Sequence, residues 1–129
     1  MRDILLDTHV FLWMQFEPSK LSPELTALLQ SQSARWHLSQ ISILEIQIKH
    51  QIGKLHLPSP PAQCLPDLIK NSKLAFHSIS NEAIFMLGKL PFIHRDPFDR
   101  LLISTALVEG WEIATVDEQF ESYPVRTIR

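Results

Sequence analysis

A chain of 129 residues with 45% hydrophobic content is long enough to bury the core of one ordinary domain and too short for two. Its formal charge of −2 excludes a broad basic surface of the kind that gives indiscriminate nucleic-acid affinity, while leaving room for a local basic patch. The lone Cys64 excludes an intrachain disulfide and a thiolate metal site; with no signal-type segment and no apolar run near the roughly 18 residues of a membrane span, a reducing, cytoplasmic setting and no membrane partner are expected.

In chain order, the spacing predicts a strand over 2–6 and a mostly apolar helix over 9–15 that carries Phe11, Leu12, Trp13 and Met14. Asp7, between them, stands at the carboxyl end of a strand, the edge where open α/β sheets bind ligands. It is equally placed to cap the following helix. Ser22-Pro23-Glu24 reads as a helix start, with serine as N-cap, proline at the first helical position and acid in the first turn; the helix runs to about 31. A short strand over 36–38 follows, and Ser39 can cap a long helix ending near Gly53. Ile41, Leu44, Ile48 and Ile52 recur at spacings of three and four, placing Glu45 in an apolar sector where a carboxylate needs a reason. The plain alternative is an i,i+4 pair with Lys49, worth about 0.3 to 0.5 kcal/mol. Ile43 and Ile46 point away from that sector, so the helix is apolar on two sides and either lies deep in the core or meets another chain.

Nine prolines against three glycines punctuate the chain, and all but Pro97 of those at element edges fall between periodic segments. After the turn at 58–61 the pattern predicts a helix to about 70, a strand over 74–78, a helix over 80–87 and a stronger one over 97–109. Asp96 precedes a proline suited to the first helical position, which makes Asp96 the natural N-cap, with a structural or supporting role, and puts Asp99 at the third position. Asp99 heads a stripe with Leu102, Ile103 and Ala106 and so faces inward; it can also reach back as a capping-box partner. Strands over 113–116 and 125–128 close the chain. Asp117 follows the first of these and can cap a short helix through Phe120, while Thr115 can orient a carboxylate or a water, or be a plain strand threonine. Strands alternating with helices predict a parallel sheet covered on both faces, in a single domain over 1–129.

Asp7, Glu45, Asp99 and Asp117 can therefore converge on one point. Carboxylates brought together raise one another's pKa, and a bound Mg²⁺ or Mn²⁺ supplies the missing counter-charge. Lys49, Lys54, Lys89, Arg95 and Arg100 flank these segments; Lys49, Arg95 and Arg100 are candidate phosphate contacts, and each reads equally as a solubilising charge. The six histidines show no metal-binding spacing on one helix face; His9 and His94 lie beside the acids.

The run Leu5-Leu6-Asp7-Thr8-His9-Val10-Phe11-Leu12-Trp13, the helix Ser42-Ile43-Leu44-Glu45-Ile46 continuing through Lys49-His50 to Gly53-Lys54-Leu55, the segment His94 to Leu102, and Thr115-Val116-Asp117-Glu118-Gln119-Phe120 together resemble a PIN-domain protein, more specifically a VapC-type toxin ribonuclease of a type II toxin–antitoxin module. The order and spacing of these motifs cover nearly the whole chain. The resemblance implies a three-layer α/β/α sandwich with a central, mostly parallel sheet. It places the family's acidic quartet on Asp7, Glu45, Asp99 and Asp117, and implies Mg²⁺ or Mn²⁺, an RNA substrate, a small antitoxin partner and a homodimer. Leu44 stands where relatives often carry tryptophan, and Thr105 where glutamine is common. The expected chemistry is in-line attack of metal-activated water on a phosphodiester, with Asp7 and Asp99 as the leading direct ligands and 5′-phosphate and 3′-hydroxyl ends as products.

Rival classes fit less well. A phosphoacceptor signalling domain needs an aspartate that the strand over 74–78 lacks, and a phosphatase with a nucleophilic aspartate needs a second acid where His9 stands. A binding-only PIN module tends to lose acids, whereas this chain keeps four. A housekeeping RNA-processing nuclease stays open beside the toxin.

Overall fold

In a computed structural model that describes residues 1–93 and 95–129, five short strands form one sheet: β1 (Arg2–Leu6), β2 (Ala34–Ser39), β3 (Ala75–His77), β4 (Glu112–Ala114) and β5 (Thr127–Ile128). The expectation for His94 lies outside the described residues. The strand order is β3-β2-β1-β4-β5 and every pairing is parallel. Among the described residues, six α-helices connect and cover the strands: α1 (Thr8–Phe16), α2 (Pro23–Ser31), α3 (Gln40–Gln51), α4 (Pro61–Asn71), α5 (Asn81–Met86) and α6 (Pro97–Glu109). This is the α/β layering expected from the sequence, with the sheet parallel throughout.

The apolar run of β1 divides between two cores, as a strand buried on both faces requires. Ile4 and Leu6 pack with Val10 and Phe11 of α1, Leu25 of α2 and Leu65 of α4, while Leu5 packs with Leu102, Ile103 and Ala106 of α6 and with Phe120. Helix starts follow the local signals. The hydroxyls of Ser22, Ser39 and Ser80 accept from the backbone N–H groups of Leu25 (3.1 Å), Ile41 (3.0 Å) and Ala83 (3.1 Å), each satisfying a donor that the first helical turn leaves open. At the other end of α6, Gly110 takes the left-handed conformation (φ 76°) that closes the helix.

Several elements are shorter than predicted. The strand after α6 stops at Ala114; Thr115 N–H still donates to the Ile128 carbonyl at 3.0 Å, and beyond it the chain turns where the Thr115 hydroxyl accepts from Asp117 N–H at 3.1 Å. A 3-10 turn over Pro18–Lys20, which the sequence did not announce, joins α1 to α2.

The largest correction concerns α3. Glu45 is buried, but not with the predicted company: Leu44, Ile48 and Ile52 are 44%, 38% and 59% exposed, and the inward residues are Ile41, Ser42, Glu45 and Ile46. At about 100° per residue the buried sector is turned by roughly a quarter of a circle from the predicted one. Hydrophobicity misplaced it because two polar residues, Ser42 and Glu45, go inside. Ile46, expected on the side away from Glu45, shares the buried sector with it, while Ile43 and Leu44 line a groove between α3 and α4.

The chain builds outward from β1 through β2 and β3, then returns to the opposite side of β1 for β4 and β5. That reversal opens a crevice beyond the carboxyl ends of β1 and β4, the usual ligand site of such sheets.

Candidate metal centre

Asp7 leaves the end of β1 with its backbone N–H bonded to the Ala114 carbonyl at 3.0 Å, which ties it to β4. It occupies the N-cap position of α1 without a side-chain cap bond; instead its Oδ2 accepts from the Thr115 hydroxyl at 2.7 Å. The capping alternative for Asp7 is thereby set aside, and Thr115 orients a carboxylate. Burial pushes the Asp7 carboxyl above its ordinary pKa, and the nearby Glu45 charge adds to the rise, against the opposing effects of Thr115 and His9.

Glu45 is clamped from both sides. Its Oε1 accepts from the Thr8 hydroxyl at 2.6 Å, Thr8 in turn shares a hydrogen bond with Ser42 at 2.9 Å, and Oε2 pairs with Lys49. Burial acts to lower the Lys49 pKa, but the Glu45 bond and the charges of Glu45, Asp96 and Asp99 outweigh it and hold the ammonium above its ordinary value.

Asp96 caps α6 as predicted, its Oδ1 accepting from Phe98 N–H (2.9 Å) and Asp99 N–H (3.2 Å). The same residue is closer to the chemistry than a cap alone requires: carboxylate oxygens of Glu45, Asp96 and Asp99 lie within 4.8 Å of one another. Asp99, half-buried, has its pKa pushed up to about 8, first by burial and then by the charges of Asp7, Asp96, Glu45 and Asp117. Asp117 caps a 3-10 turn over Glu118–Ser122 by accepting from Gln119 N–H at 2.9 Å, so this acid is both a cap and a site residue by position.

Asp7, Glu45, Asp96, Asp99 and Asp117 line one cavity of about 300 Å³, with Lys49, His9 and Trp13 on its wall. The four sequence-predicted acids are thus brought together, with Asp96 as a fifth. Hard carboxylate oxygens around a small cavity suit Mg²⁺ or Mn²⁺, and the raised carboxyl pKa values mark an excess of negative charge that such a cation would neutralise.

Of the candidate phosphate contacts, Lys49 is inside the site and Arg95 is exposed. Arg100 is overturned. It is 6% exposed, and its guanidinium donates to the carbonyls of Pro91 (2.8 Å) and Leu87 (3.3 Å) and to the Tyr123 hydroxyl (3.3 Å), beneath the Phe92 ring at 4.4 Å. The long apolar stem lets an arginine enter the core if its donors are met there, and a charge read from sequence carries no sign of that. Conversely, Thr8 and Ser42 escaped notice as the holders of Glu45. The signal was available in retrospect: a hydroxyl directly after Asp7, and another three residues before Glu45.

Comparison with known proteins places this geometry. The PIN domain profile matches residues 4–125. The chain is 26% identical over 125 residues to ribonuclease VapC22 of Mycobacterium tuberculosis, covering 95% of this chain and 93% of that protein. Its fold is similar to the crystal structure of VapBC2 from Rickettsia felis bound to a DNA fragment from their promoter (TM-score 0.72, 19% identity, 98% and 97% of the two chains covered). It is likewise similar to DNA-bound VapBC from Salmonella typhimurium (TM-score 0.73, 16% identity, 99% and 98% covered).

Proposed function

This chain belongs to the PIN-domain family, and from that premise we propose that it is a Mg²⁺- or Mn²⁺-dependent endoribonuclease, the toxin of a type II toxin–antitoxin pair. The observation that carries the reading is the cavity lined by five carboxylates at the edge of β1 and β4, two of which, Asp7 and Asp99, have raised pKa values. Asp7, Glu45, Asp99 and Asp117 would hold the metal, with Asp96 near enough to contribute. When bound, the ion supplies a hydroxide from water near neutral pH and charge to stabilise the phosphodiester under attack.

The protein's own residues do the positioning. Thr115 fixes Asp7, Thr8 fixes one oxygen of Glu45 and Lys49 holds the other. With the Asp99 pKa pushed up to about 8 by burial and the neighbouring carboxylates, the carboxyl favours its protonated form at neutral pH, and a bound cation would favour release of that proton. Lys49 inside the cavity and the exposed Arg95 are the phosphate contacts of this scheme, which leaves 5′-phosphate and 3′-hydroxyl ends.

The toxin role rests on the likeness to ribonuclease VapC22 and to the VapBC assemblies; the partner is then a small antitoxin that blocks the site, and the place of action is the cytoplasm. A groove of about 600 Å³ between α3 and α4, lined by Ile43, Leu44, Leu65 and Phe76, gives an apolar face for a second copy of the chain.

The test is calorimetric titration of Mn²⁺ into the antitoxin-free protein, beside Asp7→Asn and Asp99→Asn variants of verified fold, followed by end-group analysis of cleaved RNA. Binding in the wild type that both variants weaken is expected. Undiminished binding in both, or RNA products ending in a 2′,3′-cyclic phosphate, would sink the scheme. RNA cleavage without growth arrest on expression would favour a housekeeping nuclease.

A further inference from the structure

We propose that the hollow beside the acidic cavity is a stacking subsite for an unpaired nucleobase next to the scissile phosphate, with the Trp13 indole as its platform. The proposal deepens the nuclease reading and rests on it for the identity of the substrate.

The hollow, about 360 Å³, lies between α1 and the segment that follows α3; Leu12, Trp13, Phe16, Leu55 and Leu57 supply its apolar walls. His9 and Trp13 line this hollow and the acidic cavity alike, so the two open on a common wall. The arrangement follows from helix period. Asp7 sits at the N-cap of α1, while His9, Trp13 and Phe16 recur at spacings of four and three along one face. At 1.5 Å rise per residue, Trp13 stands about 9 Å along the axis from Asp7.

The polar surroundings favour a nucleic acid. Lys20 Nζ lies 5.7 Å from the Trp13 ring centroid, and Lys54 lines the adjoining cavity together with Thr8, His9 and Lys49. Glu17, the acid on the wall of the hollow, is paired with Lys20 at 3.1 Å. The His9 and Trp13 rings are 6.4 Å apart with planes at 53°, so they are not stacked on each other. The leucine, phenylalanine and indole walls match the apolar face of a base, while His9, His56 and Glu17 are the polar side chains of the lining, so the binding energy is assigned to stacking on Trp13.

The test is a thermodynamic cycle in an Asp99→Asn background, which silences cleavage. Binding of a short fluorescein-labelled oligouridine, and of the same strand made abasic, is measured by anisotropy for that background alone and with Trp13→Leu or Trp13→Phe added. Trp13→Leu is expected to weaken oligouridine binding about 5- to 150-fold and abasic-strand binding less than about twofold, with Trp13→Phe retaining most of the affinity. Equal loss on both strands would overturn the subsite, since the effect would then be positional. No loss on either strand would also overturn it and leave the hollow to a protein segment. Cleavage by the otherwise unaltered protein is scored separately: an inactive enzyme with an intact cycle refutes the nuclease reading and not the stacking surface.

Discussion

Two polar constellations are built on the sheet of this protein, one across β1, β2 and β3 and one beyond the carboxyl ends of β1 and β4, and their charges are balanced in opposite ways. In the first, buried His37 bonds through Nε2 to Asp3 (2.8 Å) and through Nδ1 to His77 (2.7 Å), and stacks on Trp111 with centroids 3.9 Å apart and planes at 8°. Asp3 also meets Arg35 at 3.2 Å. The hydrogen bond from His37 and the Arg35 charge hold the Asp3 carboxyl below its usual range, the sign of an acid that is content to be ionised. In the second, five carboxylates share a cavity with Lys49, and Asp7 and Asp99 move in the other direction. Matched groups stabilise the fold; a concentration of carboxylates that raises their pKa values costs stability and is kept where a ligand of the opposite sign binds.

The comparison is broken most decisively at Asp99. Asp99→Asn is expected to lower RNA cleavage by about 100-fold or more, as the loss of several kcal/mol of transition-state stabilisation implies, while raising the melting temperature in EDTA. A variant that is both inactive and less stable would place Asp99 among the groups that stabilise the fold. Next comes Arg100, a matched cation in the second core. Arg100→Met should cost about 2 to 3 kcal/mol in urea denaturation, because it strips the donors from the Pro91 and Leu87 carbonyls and the Tyr123 hydroxyl.

The two constellations should also answer pH with opposite signs. The folded-state pKa of Asp99, about 8, lies above its unfolded value, so in EDTA the native protein holds the extra proton between about pH 4 and 8 and stability falls as pH rises through that window; Asp7 contributes with the same sign. Burial, aided by the charge of His37, lowers the His77 pKa despite Glu109, so there the unfolded chain takes up the proton first and stability falls as pH drops below about 6.5. Saturating Mn²⁺ should remove the first decline and leave the second, which melting curves against pH with and without metal will show. The smallest effect belongs to Arg2→Ala: the Arg2–Glu112 pair is two-pronged (3.0 and 2.8 Å), yet its arginine is half exposed, and less than about 1 kcal/mol is expected.

What the sequence made legible is what acts within one turn of chain. Ser22, Ser39 and Asp96 each cap a helix through donors two or three residues away, and in the stripe that Asp99 heads Leu102, Ile103 and Ala106 are buried as their spacing requires. The alternation of strands and helices predicted the parallel sheet, and its strand ends predicted the crevice that holds Asp7 and Asp117. The rest depended on partners far apart in the chain. The buried face of α3 is set by Thr8 bonding Glu45 across 37 residues, the aim of Asp7 by Thr115 across 108, and the inward course of Arg100 by carbonyls that only the folded chain presents. A residue's type and period record how local backbone groups are satisfied and which faces are apolar, whereas the burial of a charge is decided by whether remote donors or acceptors are in place to receive it, and only the tertiary structure brings them there.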